Sequence, residues 1–248
     1  MKKLLNRIND SLAYRFGLKF IRANEKFSYS RSFLFNLVNP DLILDCGANK
    51  GQWVSDIAPL FKNTPIISIE PLNEPFLELE KLKNKFGNLQ TFKFALSNES
   101  SISVMQVASN GGASSTLSSP TNHLKVNPNV TFDTKESVEV KTLDSLIELK
   151  GFKKVFIKLD LQGYEFKALQ GATELLANVA LIEIESSLTP QYLGETSHHE
   201  LILFLKNFGF EYFSGSVPRT DLSGRQWDLN SLLVRSKYIN VAGIQINE

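Results

Sequence analysis

The stretch Asp41-Leu-Ile-Leu-Asp-Cys-Gly-Ala-Asn-Lys-Gly-Gln-Trp-Val-Ser55 decides the fold. An apolar run, Leu42-Ile-Leu44, ends at the carboxylate of Asp45, and Gly47, Asn49 and Gly51 follow before residues able to start a helix. Strand, tight glycine-bearing turn and helix N-terminus, in that order, are how open α/β sheets hold nucleotide-like cofactors at their carboxyl edge. A second apolar run, Pro65-Ile-Ile-Ser-Ile-Glu70, also ends in an acid, which can accept hydrogen bonds from both hydroxyls of a ribose. Together the two stretches predict an adenosine-bearing cofactor.

Outward from this point the chain alternates between strand and helix patterns. Strands are expected at residues 42–45, 66–70 and 90–94, with helices at about 51–61 and 75–85 between them. Phe76, Leu79 and Leu82 form the apolar face of the second helix, and Gly87-Asn88 closes it. Residues 100–142 break the rhythm. Alternating apolar positions at Ile102, Val104 and Val107, and again from Val138 to Thr142, read as two strands of a small insertion. The polar loop Asn110-Gly-Gly-Ala-Ser-Ser-Thr116 lies between them, and long loops of this kind tend to be functional. Alternation then resumes with a short helix at 143–149 capped by Thr142, a strand at 155–160, a helix at 164–176, a strand at 180–185 and a helix at 199–207. A final strand pair, 211–214 and 229–234, has no helix between its members. The expected fold is α/β: a doubly wound, mostly parallel seven-stranded sheet with an antiparallel edge strand and a small β insertion. It should occupy residues 39–238, after a basic helical cap at 1–38 and before a tail at 239–248.

Composition narrows the setting. With 248 residues and 42% hydrophobic content, a single core is possible, and a net charge of +1 offers no global case for nucleic acid. Cys46 is the only cysteine, so a disulfide framework is excluded and a reducing cytoplasm suits the chain. Buried under a turn, Cys46 reads as a small packing residue. Asn6, Arg7, Asn9 and Asp10 interrupt what would have to be an apolar signal sequence. Residues 1–31 carry eight Lys or Arg against two acids, with Leu4, Leu5, Ile8, Leu12, Phe16 and Phe20 at helical spacing. That pattern predicts a helix packed as a cap on the domain, the alternative being peripheral contact with an anionic membrane.

Four expected strands end in carboxylates: Asp45, Glu70, Asp160 and Glu185. In a doubly wound sheet these ends share one edge, so the acids should converge on one cleft and need partners there. A cofactor bearing hydroxyls, an amine and a sulfonium cation would supply them, whereas phosphates would be repelled. The glycine turn agrees, since Asn49 stands where a dinucleotide fingerprint requires its second glycine. A nicotinamide-dependent oxidoreductase is the competing enzyme class; a binding protein that keeps the fold without catalysis is the other alternative.

Five segments in order, Asp45-Cys-Gly-Ala-Asn-Lys-Gly-Gln52, Ile69-Glu-Pro71, Ala95-Leu-Ser97, Thr142-Leu-Asp144 and Lys158-Leu-Asp-Leu-Gln-Gly-Tyr-Glu165 with Leu169-Gln-Gly-Ala172, closely resemble the FkbM-type methyltransferases. The resemblance runs from about Asp41 to Val234 and implies the class I S-adenosylmethionine-dependent fold. It also implies methyl transfer to a hydroxyl of a sugar or related metabolite, often in surface-polysaccharide synthesis. By resemblance, Asp45, Gly47, Asn49 and Gly51 line the methionine end of the cofactor, Glu70 and Pro71 the ribose, and Leu96 and Ser97 the adenine. Asp160 lies by the sulfonium and the acceptor. The family often has an acid at the position of Gln162.

Methyl transfer requires that the acceptor oxygen be aligned and relieved of its proton. Asp160 is the first candidate for that role, Glu185 with its neighbour Glu183 the second, and Glu165, at a helix start, the third. Ser114 and Ser115 of the polar loop, and His198 after a strand end, are the candidate acceptor contacts. His123, in the insertion, receives no role. Trp227 reads as a core residue rather than a sugar platform. No ligand spacing demands a metal, although Asp160 and Glu185 could share a divalent ion.

Overall fold

The computed structural model describes residues 23–241. The amphipathic stretch from Leu4 to Phe20, and with it the question of membrane contact, lies outside the described residues, as do residues 242–248 of the expected tail.

In chain order, α1 (Ala23–Val38) leads into β1 (Leu42–Cys46) and α2 (Gln52–Ile57), which tightens into a 3-10 turn at Ala58–Leu60 around Pro59. Then come β2 (Ile66–Ile69), α3 (Asn73–Lys81), β3 (Leu89–Phe92), β4 (Ala95–Leu96) and β5 (Ser101–Val107). The insertion continues through α4 (His123–Val126) and β6 (Thr134–Lys141). The second half contains β7 (Val155–Leu159), α5 (Glu165–Gln170), β8 (Val179–Ser187) and α6 (His198–Asn207). It ends with β9 (Phe210–Gly215), β10 (Arg219–Thr220), β11 (Gln226–Arg235) and α7 (Ser236–Val241).

The main sheet runs β3-β2-β1-β7-β8-β11, with β9 and β10 both paired to the outer edge of β11. Seven strand positions are therefore filled by eight strands, since β9 takes the C-terminal half of that edge and the short β10 the N-terminal half. Strands β3, β2, β1, β7 and β8 are mutually parallel, and β11 is antiparallel to β8. The chain leaves β1 toward β3 and returns to β7 on the other side, so the switch in winding direction lies between β1 and β7. Loops diverge there and open a crevice beyond the carboxyl ends of the strands.

Both faces of the sheet are covered, so the central strands are buried throughout. On β1, Leu42, Leu44 and Cys46 join one apolar cluster with Leu169, Leu176 and Leu205. Ile43 joins the opposite one with Leu34, Val54 and Phe156. Cys46 is a buried free thiol beneath the turn, as expected of a packing residue.

Three local expectations change. The strand expected at 90–94 divides: β3 stays in the main sheet, while β4 pairs with β6 and joins β5 in a separate three-stranded sheet. The helix expected at 164–176 stops at Gly171, where an added Cβ would lie 2.3 Å from the Ser97 carbonyl oxygen, so the chain there presses on the other sheet. The segment at 143–149 is two 3-10 turns, the first capped by Thr142, whose hydroxyl accepts from the Ser145 N–H at 3.2 Å.

Candidate functional site

The turn after β1 is a tight piece of backbone. Gly47 has φ +80°, and a Cβ there would lie 1.9 Å from the carbonyl oxygen of Asp160. The Gly47 and Ala48 N–H groups both donate to Ile69 O at 3.0 Å, while the Asp160 N–H donates to Cys46 O at 3.1 Å. Asn49 sits at φ +47°, which asparagine tolerates better than most residues. The turn also orders Glu70. Its carboxylate accepts from the Asn49 N–H at 2.8 Å and the Leu72 N–H at 2.9 Å. Burial, only partly offset by those donors, pushes its pKa up to about 7.

Beyond this turn lies a cavity of about 400 Å³. Gly47, Asn49, Glu70 and Pro71 form one wall, Phe94, Leu96 and Met105 an apolar one, and Lys158 and Asp160 the floor near the strand ends. A flat apolar slot with an acid at its side suits an adenosine, because the base loses water against carbon while the ribose hydroxyls find an acceptor. The residues present therefore fit an S-adenosyl cofactor.

The acids find more protein partners than the sequence led one to expect. Lys158, 6% exposed, lies 3.4 Å from Asp45 and 3.5 Å from Asp160, and donates to Gly47 O at 3.1 Å. Burial pulls its pKa down, but the charges of Asp160, Asp45, Glu183 and Glu185 outweigh this and raise it. Asp45 is fully buried under the turn, its pKa raised by burial and held back by Lys158. Glu183 faces Arg31 of α1 at 3.4 Å and accepts from the Trp53 Nε1–H at 3.3 Å. Pairing within the protein thus does much of what was assigned to a cationic cofactor. Lys158 was legible as the one charge in an otherwise apolar buried strand, where a cation needs carboxylates beside it.

A second, more polar cavity of about 290 Å³ adjoins the first, and Asp160 and Gln162 belong to the walls of both. Gln162, at φ +52°, donates from Nε2 to Asp160 Oδ1 at 2.7 Å and to Glu185 Oε2 at 2.8 Å. Its Oε1 accepts from the Tyr192 hydroxyl at 2.7 Å. The nearby charge of Asp160, then burial, hold Glu185 well above the usual carboxylate range. One amide thus ties two carboxyl groups into a dyad at the boundary between the cavities. Among the described residues no group of three or more His, Cys, Asp or Glu side chains is placed to hold a metal ion.

The structure sorts the residues expected at the site. Gly47, Asn49, Glu70, Pro71, Leu96, Ser115 and Asp160 line the first cavity; Ser114, Asp160, Glu165 and Glu185 line the second. Glu185 therefore belongs to the second cavity and not to the first. Asp45, Gly51, Ser97 and His198 line neither. Asp45 is covered by its own turn. Gly51 packs on the end of α3, where a Cβ would lie 3.0 Å from Leu79 Cδ1 and 2.3 Å from Cδ1 of Leu82, the residue just after the helix. The Ser97 hydroxyl turns to Asn98, and His198 Nδ1 pairs with the Ser186 hydroxyl at 2.7 Å. Glu165 accepts from the Leu161 N–H at 2.6 Å and the Gly163 N–H at 3.1 Å, so it clamps the turn before α5. Burial raises it to about 8. Ser114 and Ser115 spend hydrogen bonds on their own loop, with Asn110 Nδ2 and the Ala108 N–H at 2.9 Å each. Trp227 is core, its Nε1–H donating to Asp221 at 3.0 Å. Tyr192 and His123, both in the second cavity, carried no sequence signal.

A family model described as the methyltransferase FkbM domain matches residues 45–212. A curated relative, the 2-O-methyltransferase NoeI of Sinorhizobium fredii (strain NBRC 101917 / NGR234), is 25% identical over 186 residues, covering 72% of this chain and 76% of the relative. Among solved structures, magnesium protoporphyrin IX methyltransferase (ChlM) from Synechocystis PCC 6803 with bound SAM aligns with a TM-score of 0.48 at 11% identity, over 94% of this chain and 97% of that one. TehB from Haemophilus influenzae aligns with a TM-score of 0.47 at 10% identity, over 92% and 67%.

Proposed function

This chain belongs to the FkbM methyltransferase family, and from that premise we propose that it transfers a methyl group to a hydroxyl oxygen of a sugar or related metabolite. It is a methyltransferase with S-adenosylmethionine as its cofactor. The observation that carries the choice of oxygen is the Asp160–Gln162–Glu185 dyad at the junction of the two cavities, where an acceptor hydroxyl can meet a carboxylate beside the cofactor slot. The relative named as a 2-O-methyltransferase supports the same choice.

When bound, the cofactor supplies a methyl group on a positively charged sulfur that departs as a neutral thioether. The protein supplies the rest. Glu70 holds the ribose hydroxyls, and the Gly47 turn lets the chain approach closely. Asp160, steadied by Lys158 at 3.5 Å and by the Gln162 amide, accepts the acceptor's hydroxyl proton as the new carbon–oxygen bond forms. Glu185, held above the usual carboxylate range by the charge of Asp160 and then by burial, is tied to Asp160 through the same Gln162 amide and faces the second cavity.

Calorimetry with S-adenosylhomocysteine, followed by transfer of labelled methyl groups to a panel of neutral sugars, tests this reading. Binding of the thioether together with an alkali-stable methyl ether product is the expected result. Binding of NADH in place of S-adenosylhomocysteine, or methylation confined to nitrogen acceptors, would overturn it.

A further inference from the structure

The wall of the second cavity includes a histidine whose tautomer the surrounding network determines. His123 is 1% exposed and forms part of the wall, and its Nδ1 has no partner. Its Nε2 lies 3.0 Å from the side-chain nitrogen of Asn127. The orientation of that amide follows from Arg219, whose Nη1 meets Asn127 Oδ1 at 3.2 Å. Arginine only donates, so the oxygen of Asn127 must face it and the NH2 must face His123. His123 Nε2 is then an acceptor, which places the ring proton on Nδ1. Stacking on Tyr192 at 5.4 Å and an edge contact with Phe132 at 5.6 Å hold the ring in place. Burial, then the charge of Arg219, lower the pKa of His123, which favours the neutral ring.

The remaining wall is rich in acceptors. Glu185, Asp160 and Glu195 contribute carboxyl groups, and the cation Arg219 is already committed to Asp228 and to Gln191 Oε1 at 3.0 Å. Hydroxyls can donate to such a wall, whereas a phosphate or carboxylate would be repelled by it. At about 290 Å³, the cavity lies at the small end of ligand sites and has room for one ring.

We propose that this second cavity is the acceptor pocket, that it selects an uncharged sugar ring over anionic sugars, and that the Nδ1–H of His123 donates a hydrogen bond to a sugar oxygen. This rests on the methyl-transfer reading above. His123 binds and orients; it does not take the proton, because its Nδ1 already carries one.

Ligand-observed NMR titrations on the full chain, saturated with S-adenosylhomocysteine, test the proposal with neutral methyl hexosides against the matching uronic acids and hexose 6-phosphates. At least one neutral hexoside should bind about tenfold more tightly than its anionic counterparts, the scale of one unfavourable charge contact. His123→Phe should lose about tenfold in that affinity while S-adenosylhomocysteine binding is unchanged. His123→Asn, whose amide NH2 can replace Nδ1–H, should keep most of it. Long-range proton–nitrogen correlation spectra of the unmutated protein should show His123 protonated at Nδ1. Equal or tighter binding of the anionic sugars, no sugar binding at all, unchanged affinity in a folded His123→Phe, or a bare Nδ1 would each overturn the proposal. Failure of S-adenosylhomocysteine to bind would instead strike the methyltransferase reading beneath it.

Discussion

Glu70 and Asp160 follow the two parallel strands that flank β1, yet they should answer to different experiments. Burial lifts Glu70 to about 7, so it is mostly protonated below that pH and ionised above it. Ribose hydroxyls need an acceptor, so cofactor affinity should rise with pH as the carboxylate forms. For one linked proton the gain between pH 6 and pH 8 is about tenfold. Calorimetric titration of S-adenosylhomocysteine should show this slope, and Glu70→Gln should flatten it. A pH-independent affinity in the unmutated protein would remove Glu70 from the ribose. Asp160→Asn should behave otherwise: turnover should fall by about 10²–10⁴, the usual worth of a general base, with cofactor affinity little changed. Loss of cofactor affinity with turnover preserved would contradict its assignment.

At the scale of elements, the site depends on how closely β1 and β7 end beside each other. The Gly47 turn and the Asp160 backbone approach so nearly that no side chain fits between them, and the positive φ adds strain for any other residue. Gly47→Ala should therefore destabilise the protein by about 2 kcal/mol or more, read as a lower urea midpoint. A midpoint equal to that of the unmutated protein would mean that the turn can move away from β7. The same logic explains why the expected long helix ends at Gly171, since its backbone lies against Ser97 of the small sheet. Helical periodicity alone does not register a contact with a segment more than seventy positions earlier in the chain.

Across the whole molecule, an ion pair couples α1 to the wall of the first cavity. Arg31 reaches Glu183 on β8, and Glu183 also lines that cavity. Arg31→Met should leave a buried carboxylate with Trp53 as its remaining side-chain hydrogen-bond donor among the described residues, at a cost of about 1–3 kcal/mol. Chemical denaturation would measure it, and a neutral effect would show that Glu183 is satisfied without α1. No helix among the described residues is long and apolar enough to cross a membrane.

The order of strands and helices, the glycine turn and the acids at the strand ends could be read from residues 42–70 and 155–185, because local sequence carries side-chain period, turn chemistry and strand termini. The family followed from motifs in these segments together with Ala95-Leu-Ser97 and Thr142-Leu-Asp144. Sequence could not say how the acids are shared. Lys158 under the turn, Gln162 across Asp160 and Glu185, and Arg31 on Glu183 are contacts between residues distant in the chain, and only packing brings them within reach. The division into two chambers was hidden for the same reason. It depends on a loop from the insertion meeting Tyr192 from beyond β8, and His123 acquires a meaning only when Asn127 and Arg219 stand beside it. Local sequence therefore determined the scaffold and the cofactor's edge of the sheet, while long-range packing decided which charges are paired and where an acceptor can sit.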